Sequence, residues 1–102
     1  MMKPGVDDGN IINEIKKIYT KDGWKIGGRG IWDIHGIGMD VIEQPIVLDD
    51  DSFKLKENMV LCLHPGLLIG DEEWGVYIQD SFLVTEEGGK QLSDLTHEWY
   101  LT

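Results

Sequence analysis

The residues of this chain best able to do chemistry fall in three blocks. His35 stands in the glycine-framed run His35-Gly36-Ile37-Gly38, with Glu43 and Pro45 a little further on. Cys62 and His64 belong to the apolar segment that begins at Met59 and leaves through Pro65-Gly66. Gln79, Asp80 and Ser81 sit inside the alternating stretch from Gly75 to Thr85, with Trp74 just ahead of it. An imidazole can ligate a metal, move a proton near neutral pH, or act only as a hydrogen-bonded structural group. For His35 the glycine frame keeps a site-lining role open beside the structural one. His64 shares a strand face with Val60 and Cys62 if the strand is regular, and reads either as a structural histidine or as a ligand. Two imidazoles together suit zinc or iron. A solvated surface role is the plain reading of Glu43. Gln79 suits hydrogen bonding or substrate contact better than metal binding, and Trp74 suits packing or a pocket wall.

Cys62 has no second cysteine to pair with. Its apolar setting predicts a buried, inert thiol, and a reducing cytoplasm fits that usage. Two other motifs dissolve on inspection. Gly27-Gly28-Arg29-Gly30 lacks the Gly-Lys-Ser/Thr continuation and strand-to-helix setting of a phosphate loop, so it reads as turn chemistry. Asp49-Asp50-Asp51-Ser52 lacks the alternating ligands and glycine of a calcium loop, so it reads as a solvated turn. The net charge of −10, from 19 acids against 9 bases, repels phosphate, which argues against nucleic acid and anionic membranes as partners. The apolar runs are too short to span a bilayer, and Lys3 to Asp8 has no apolar core of a signal peptide.

The elements that must position these side chains follow from periodicity. With 102 residues, 41% hydrophobic and 27% charged, the chain is one domain at most, with a modest core. Residues 7–21 predict a helix whose apolar stripe is Ile11, Ile12, Ile15, Ile18 and Tyr19. Asp7 is its expected N-cap, Asp8 and the late lysines suit the dipole, and Asp22-Gly23 stops it. Everything after Asp40 is extended. Val41 to Leu48 predicts a strand interrupted at Pro45, Met59 to Leu63 a second that Leu67 to Ile69 extends, and Gly75 to Thr85 a third. In the third, Val76, Ile78, Phe82 and Val84 share one face, and Tyr77, Gln79, Ser81 and Leu83 the other. Glu86 to Gly89 predicts a hairpin turn into Lys90-Gln91-Leu92. A helix followed by antiparallel strands is an α+β chain.

Taken together, the three blocks resemble the second half of the pita-bread metallopeptidase family, which includes methionine aminopeptidases, Xaa-Pro peptidases and the metal-free creatinases. Pro4-Gly5-Val6 and His35-Gly36-Ile37-Gly38 are similar to the family's Pro-Gly-Val opening and its Gly-His-Gly-Ile-Gly run, with Ile34 in place of the first glycine. Ile42-Glu43-Gln44-Pro45 resembles His-Glu-x-Pro. Glu57 through Gly66 resembles Pro-Gly-Met-Val-Phe-Thr-Ile-Glu-Pro-Gly, and Tyr77 through Gly88 resembles Arg-Ile-Glu-Asp-Thr-Val-Leu-Val-Thr-Glu-Asp-Gly. The resemblance covers essentially the whole chain. It implies a single partial domain over residues 1–102, the C-terminal half of the catalytic fold. The two metal-binding aspartates of the other half would lie upstream; Asp22 and Asp33 stand in the wrong place for them.

What the resemblance implies for chemistry is a scaffold kept and a metal site altered. The family binds two divalent metals (manganese, zinc, cobalt or iron) through a histidine, two aspartates and two glutamates. His35 matches the metal-binding histidine. His64 and Gln79 stand where the glutamates belong, so the site loses two negative charges. The substrate histidine of relatives is Ile42 here, and a further histidine of the Xaa-Pro branch is Ile31. The expected roles are therefore His35 and His64 as catalytic groups or the ligands of a mononuclear site, with Glu43, Gln79 and Trp74 as substrate contacts. The expected function is that of a fragment of an Xaa-Pro peptidase or creatinase-like hydrolase, inactive as a metallopeptidase by itself and without metal in the fragment. A non-catalytic binding module and a metal-independent amidine hydrolase are the alternatives. The partner is a peptide or small amide, reached through the longer parent, with a homodimer as another way to supply the second half.

Overall fold

In the computed structural model, residues 2–27, 34–47, 53–69, 74–96 and 98 are described, those at 25–27, 69, 74 and 77 by their backbone only. The helix forms where periodicity places it. α1 runs Asp8–Lys21, with Asp7 at the N-cap in extended conformation and Gly23 at φ 78 just beyond Asp22. Glycine alone adopts that left-handed turn without strain, which is why the helix ends there. Asp7 makes no side-chain cap bond; its carboxylate pairs with Lys54 Nζ at 2.6 Å and its backbone bridges Lys54. Asp8 instead points inward, fully buried, and accepts the Phe53 N–H at 3.3 Å. One end of the helix is thereby fastened to the loop that crosses beneath it.

Eight strands follow among the described residues. They are β1 (Lys25–Gly27), β2 (Ile34–Gly36), β3 (Glu43–Ile46), β4 (Val60–Leu63), β5 (Gly66–Ile69), β6 (Trp74–Tyr77), β7 (Asp80–Thr85) and β8 (Gly88–Gln91). They make two sheets, one ordered β1-β5-β6 and one ordered β3-β2-β4-β7-β8, with every pairing antiparallel. The α+β reading holds.

Several boundaries differ from expectation, each for a local reason. Leu67 to Ile69 does not extend β4; Pro65 cannot donate to a ladder, and β5 leaves for the smaller sheet. Gly75 to Thr85 is likewise two strands, since the chain crosses between sheets at Ile78-Gln79. Phe82 and Val84 face the core as the alternation requires, whereas Ile78 is exposed. Val41 and Ile42 lie in an exposed bend, and β3 begins only at Glu43. The hairpin turn is as read, with Thr85 opposite Gly88.

The core lies between α1 and one face of the larger sheet. Ile11 of α1 meets Ile34 of β2, Leu61 of β4 and Val84 of β7, closed by Met2, Val47 and Leu55. Ile12 and Ile15 pack on its margin, while Ile18, at the far end of the same stripe, is 60% exposed. Because side chains alternate along a strand, the core positions Ile34, Leu61 and Leu63 send His35 and Cys62 to the opposite face. That face carries the chemistry.

Candidate functional site

Register brings the site together. His35 on β2 lies directly opposite Cys62 on β4, and Cys62 lies opposite Ser81 on β7. His64 follows β4 immediately and Gln79 immediately precedes β7, so both project from the same end of the sheet. His35 is 3% exposed and Cys62 1%, whereas His64 is half-buried and Gln79 open to solvent. The site thus grades from a buried floor to an accessible rim.

The hydrogen bonds define the protonation of the floor. His35 Nδ1 lies 2.8 Å from the Gly36 carbonyl oxygen. A carbonyl only accepts, so Nδ1 carries the proton. In the neutral ring Nε2 is then a bare acceptor. His64 Nε2 sits 3.1 Å from it, which makes His64 Nε2–H the donor. The rings meet edge to face at 63°, with centroids 5.2 Å apart. Nδ1 held by a backbone carbonyl, with Nε2 presented outward, is how ligating histidines are commonly oriented.

Cys62 completes the cluster. One ligand atom from each of His35, Cys62 and His64 lies within 4.8 Å of the others, the one such grouping of three or more His, Cys, Asp or Glu side chains among the described residues. Burial pushes the Cys62 thiol above its ordinary range; a hydrogen bond from Gln79 opposes this, the negative charge of Asp80 adds to it, and a hydrogen bond from Ser81 opposes it again. Asp80 itself faces the other way, with its Oδ2 accepting from Gln91 Nε2 at 2.8 Å and Ser93 Oγ at 2.6 Å.

Of the residues picked out from sequence, the fold gathers His35, His64 and Gln79 around one thiol. Glu43 is differently occupied. Its Oε1 accepts the Asp40 N–H at 2.9 Å, and the carboxylate packs against Gly38, closing the loop after His35. Trp74 starts β6 opposite Ile69, and its side chain lies outside the described residues. Cys62 is the group that sequence reasoning placed in the core as inert. The spacing that puts Cys62 and His64 on one strand face was legible in the sequence, but the partner strand that sets His35 opposite the thiol was not.

Among the described residues, the cluster holds no carboxylate. Two hard cations call for carboxylates that can bridge them; the gathered groups are two imidazoles, a thiol and an amide. A neutral imidazole nitrogen cannot bridge two metals, and an amide oxygen brings no charge.

Among the described residues, one helix laid over an antiparallel sheet has the architecture of part of a pita-bread catalytic domain. The chain belongs to metallopeptidase family M24, whose sequence profile matches residues 1–86. It is 35% identical over 99 residues to the Xaa-Pro dipeptidase of Pyrococcus furiosus, covering 94% of this chain and 27% of that protein. The crystal structure of the prolidase from Pyrococcus horikoshii superposes with a TM-score of 0.75 at 32% identity, covering 94% of this chain and 27% of that one. Methionine aminopeptidase from Rickettsia prowazekii shares the fold, with a TM-score of 0.76 at 20% identity over 87% of this chain and 44% of that one. The chain therefore spans about a quarter of the length of the Xaa-Pro dipeptidase that it matches.

Proposed function

We propose that this chain forms part of an Xaa-Pro peptidase-like catalytic domain whose dinuclear metal centre has been lost, and that by itself it does not hydrolyse Xaa-Pro peptides. The observation that carries the reading is the donor set. By the resemblance, His64 and Gln79 replace the family's glutamates, and the groups gathered with His35 are an imidazole, a thiol and an amide rather than carboxylates. Two charges are missing from the place where two divalent ions would have to be neutralised.

The chain's own groups retain parts of a hydrolase site. The His35–His64 pair holds one proton between two ring nitrogens, an arrangement able to accept or donate a proton at the rim. Gln79, exposed beside it, offers both an amide donor and an acceptor to a peptide or small amide substrate. Glu43 shapes the loop after His35, and Trp74 stands at the start of β6 as a candidate wall. The bend from Ile37 to Ile42 leaves Met39 99% exposed and Val41 and Ile42 uncovered, which supports a further surface that packs there, either the other half of the domain or a second copy. No helix of the described residues is long and apolar enough to cross a membrane.

The test is direct. The purified chain, incubated with Xaa-Pro dipeptides and manganese, cobalt or zinc, is expected to release no proline above the protein-free blank. Metal-dependent release that disappears on His35→Ala would overturn the reading.

A further inference from the structure

We propose that His35, Cys62 and His64 form a mononuclear, thiolate-containing site for one zinc-class ion, in place of the two hard ions of the family. The proposal rests on the reading that the dinuclear centre is lost, and adds what replaces it. Three observations carry it. The first is proximity: the three ligand atoms lie within 4.8 Å of one another, and the two Nε2 atoms are 3.1 Å apart. Around a tetrahedral zinc, donor atoms sit roughly 3.3–3.6 Å from each other, given metal–nitrogen and metal–sulfur bonds of about 2.0–2.3 Å. Binding therefore asks for movement on the order of an ångström, with the Cys62 thiol proton released to solvent and the His64 ring proton moved from Nε2 to Nδ1 so that both donors present lone pairs.

The second is orientation. His35 is fixed by its Nδ1–H bond to the Gly36 carbonyl, so that Nε2 faces the cluster with its lone pair. His35 and Cys62 are held across from each other by the β2–β4 ladder. These constraints exist before any ion arrives. The third is donor chemistry. Two imidazoles and a thiolate favour zinc, iron, cobalt or copper(I), and disfavour manganese and magnesium, which take carboxylate and water oxygens. His35 and Cys62 form a closed floor, whereas His64 and Gln79 lie at the open side. Three protein ligands with an accessible fourth position, for water or the Gln79 oxygen, is the pattern of an open zinc site.

The competing account is a hydrogen-bonded histidine pair beside a core thiol, with no ion. The two are separated by titrating the metal-stripped chain with zinc, cobalt(II) and manganese. Native mass spectrometry is expected to show one equivalent of zinc or cobalt taken up in preference to manganese. The cobalt form should show a thiolate-to-metal charge-transfer band that Cys62→Ser abolishes. His64→Ala should weaken zinc binding by at least about tenfold. In the unaltered chain, zinc should slow alkylation of Cys62, a readout that survives even if Cys62→Ser does not fold. No uptake, preference for manganese, a cobalt spectrum unchanged by Cys62→Ser, or alkylation unaffected by zinc would each overturn the site. Absence of both zinc and Xaa-Pro cleavage would sink this proposal alone, whereas two bound manganese ions with cleavage would sink the reading beneath it.

Discussion

Replacing Gly36 by alanine tests how tightly the site is built into the sheet. A Cβ at Gly36 would lie 2.5 Å from the Gln44 carbonyl oxygen, 2.9 Å from its carbon and 3.1 Å from the Glu43 oxygen. All three are backbone atoms of the β3 segment, where the β2–β3 register shifts between His35 and Gly36. None can rotate away as a side chain would. Restoring ordinary contact, about 3.4 Å or more, requires β3 to move by nearly an ångström, or β2 to tilt and carry the Gly36 carbonyl off His35 Nδ1. Overpacking of this kind costs about 1–3 kcal/mol. For a domain near this size each kcal/mol lowers the melting temperature by roughly 4–8 °C, so Gly36→Ala should melt about 4–24 °C below the parent. Gly75→Ala is the matched control. Its nearest neighbours are Leu68 Cδ2 at 3.6 Å and the Leu67 oxygen at 3.7 Å, ordinary contacts, and a strand alanine should be neutral or stabilise by about 0.5–1 kcal/mol. Thermal unfolding followed by circular dichroism decides the matter. Equal melting temperatures for Gly36→Ala and the parent would refute the close approach of β3 to β2 and, with it, the backbone clamp on His35.

Two further outcomes follow from the same geometry. Asp8→Ala removes the buried carboxylate that accepts the part-buried Phe53 N–H, and should cost about 1–3 kcal/mol in urea unfolding, whereas Asp7→Ala, which loses an exposed ion pair with Lys54, should cost under about 1 kcal/mol; equal costs would contradict the inward orientation of Asp8. Placing a carboxylate at both rim positions, as His64→Glu with Gln79→Glu, should shift metal preference in native mass spectra from zinc toward manganese, and an unchanged preference would show that the rim does not govern the ion.

Much of the scaffold was legible because it depends on local signals. The stripe Ile11, Ile12, Ile15 and the Asp22-Gly23 stop define α1 without reference to anything distant, and the glycine at φ 78 ends it as read. Ile18 belongs to the same stripe and yet is exposed, because the larger sheet covers only the first part of the helix. Alternation put Phe82 and Val84 on one face, which the structure turns to the core, but it could not show that the run from Gly75 to Thr85 serves two sheets. Periodicity is a property of each strand, whereas sheet membership depends on which partner the backbone reaches.

The site divides in the same way. The order of amino acids by itself determined that a histidine sits in a glycine frame, that His64 stands two residues after Cys62, and that the net charge is −10. Those are statements about types and order. Only the tertiary structure decided that His35 and His64 share a hydrogen bond across 29 residues of sequence, and that Cys62, buried as read, lies beside them. The physical reason is register. Opposite pairing of His35 with Cys62 belongs to the regular β2–β4 ladder, held in register by the packing of Ile34 and Leu61 in the core with Ile11 of α1. A slip of one residue would send the imidazole to the helix and the isoleucine to the site.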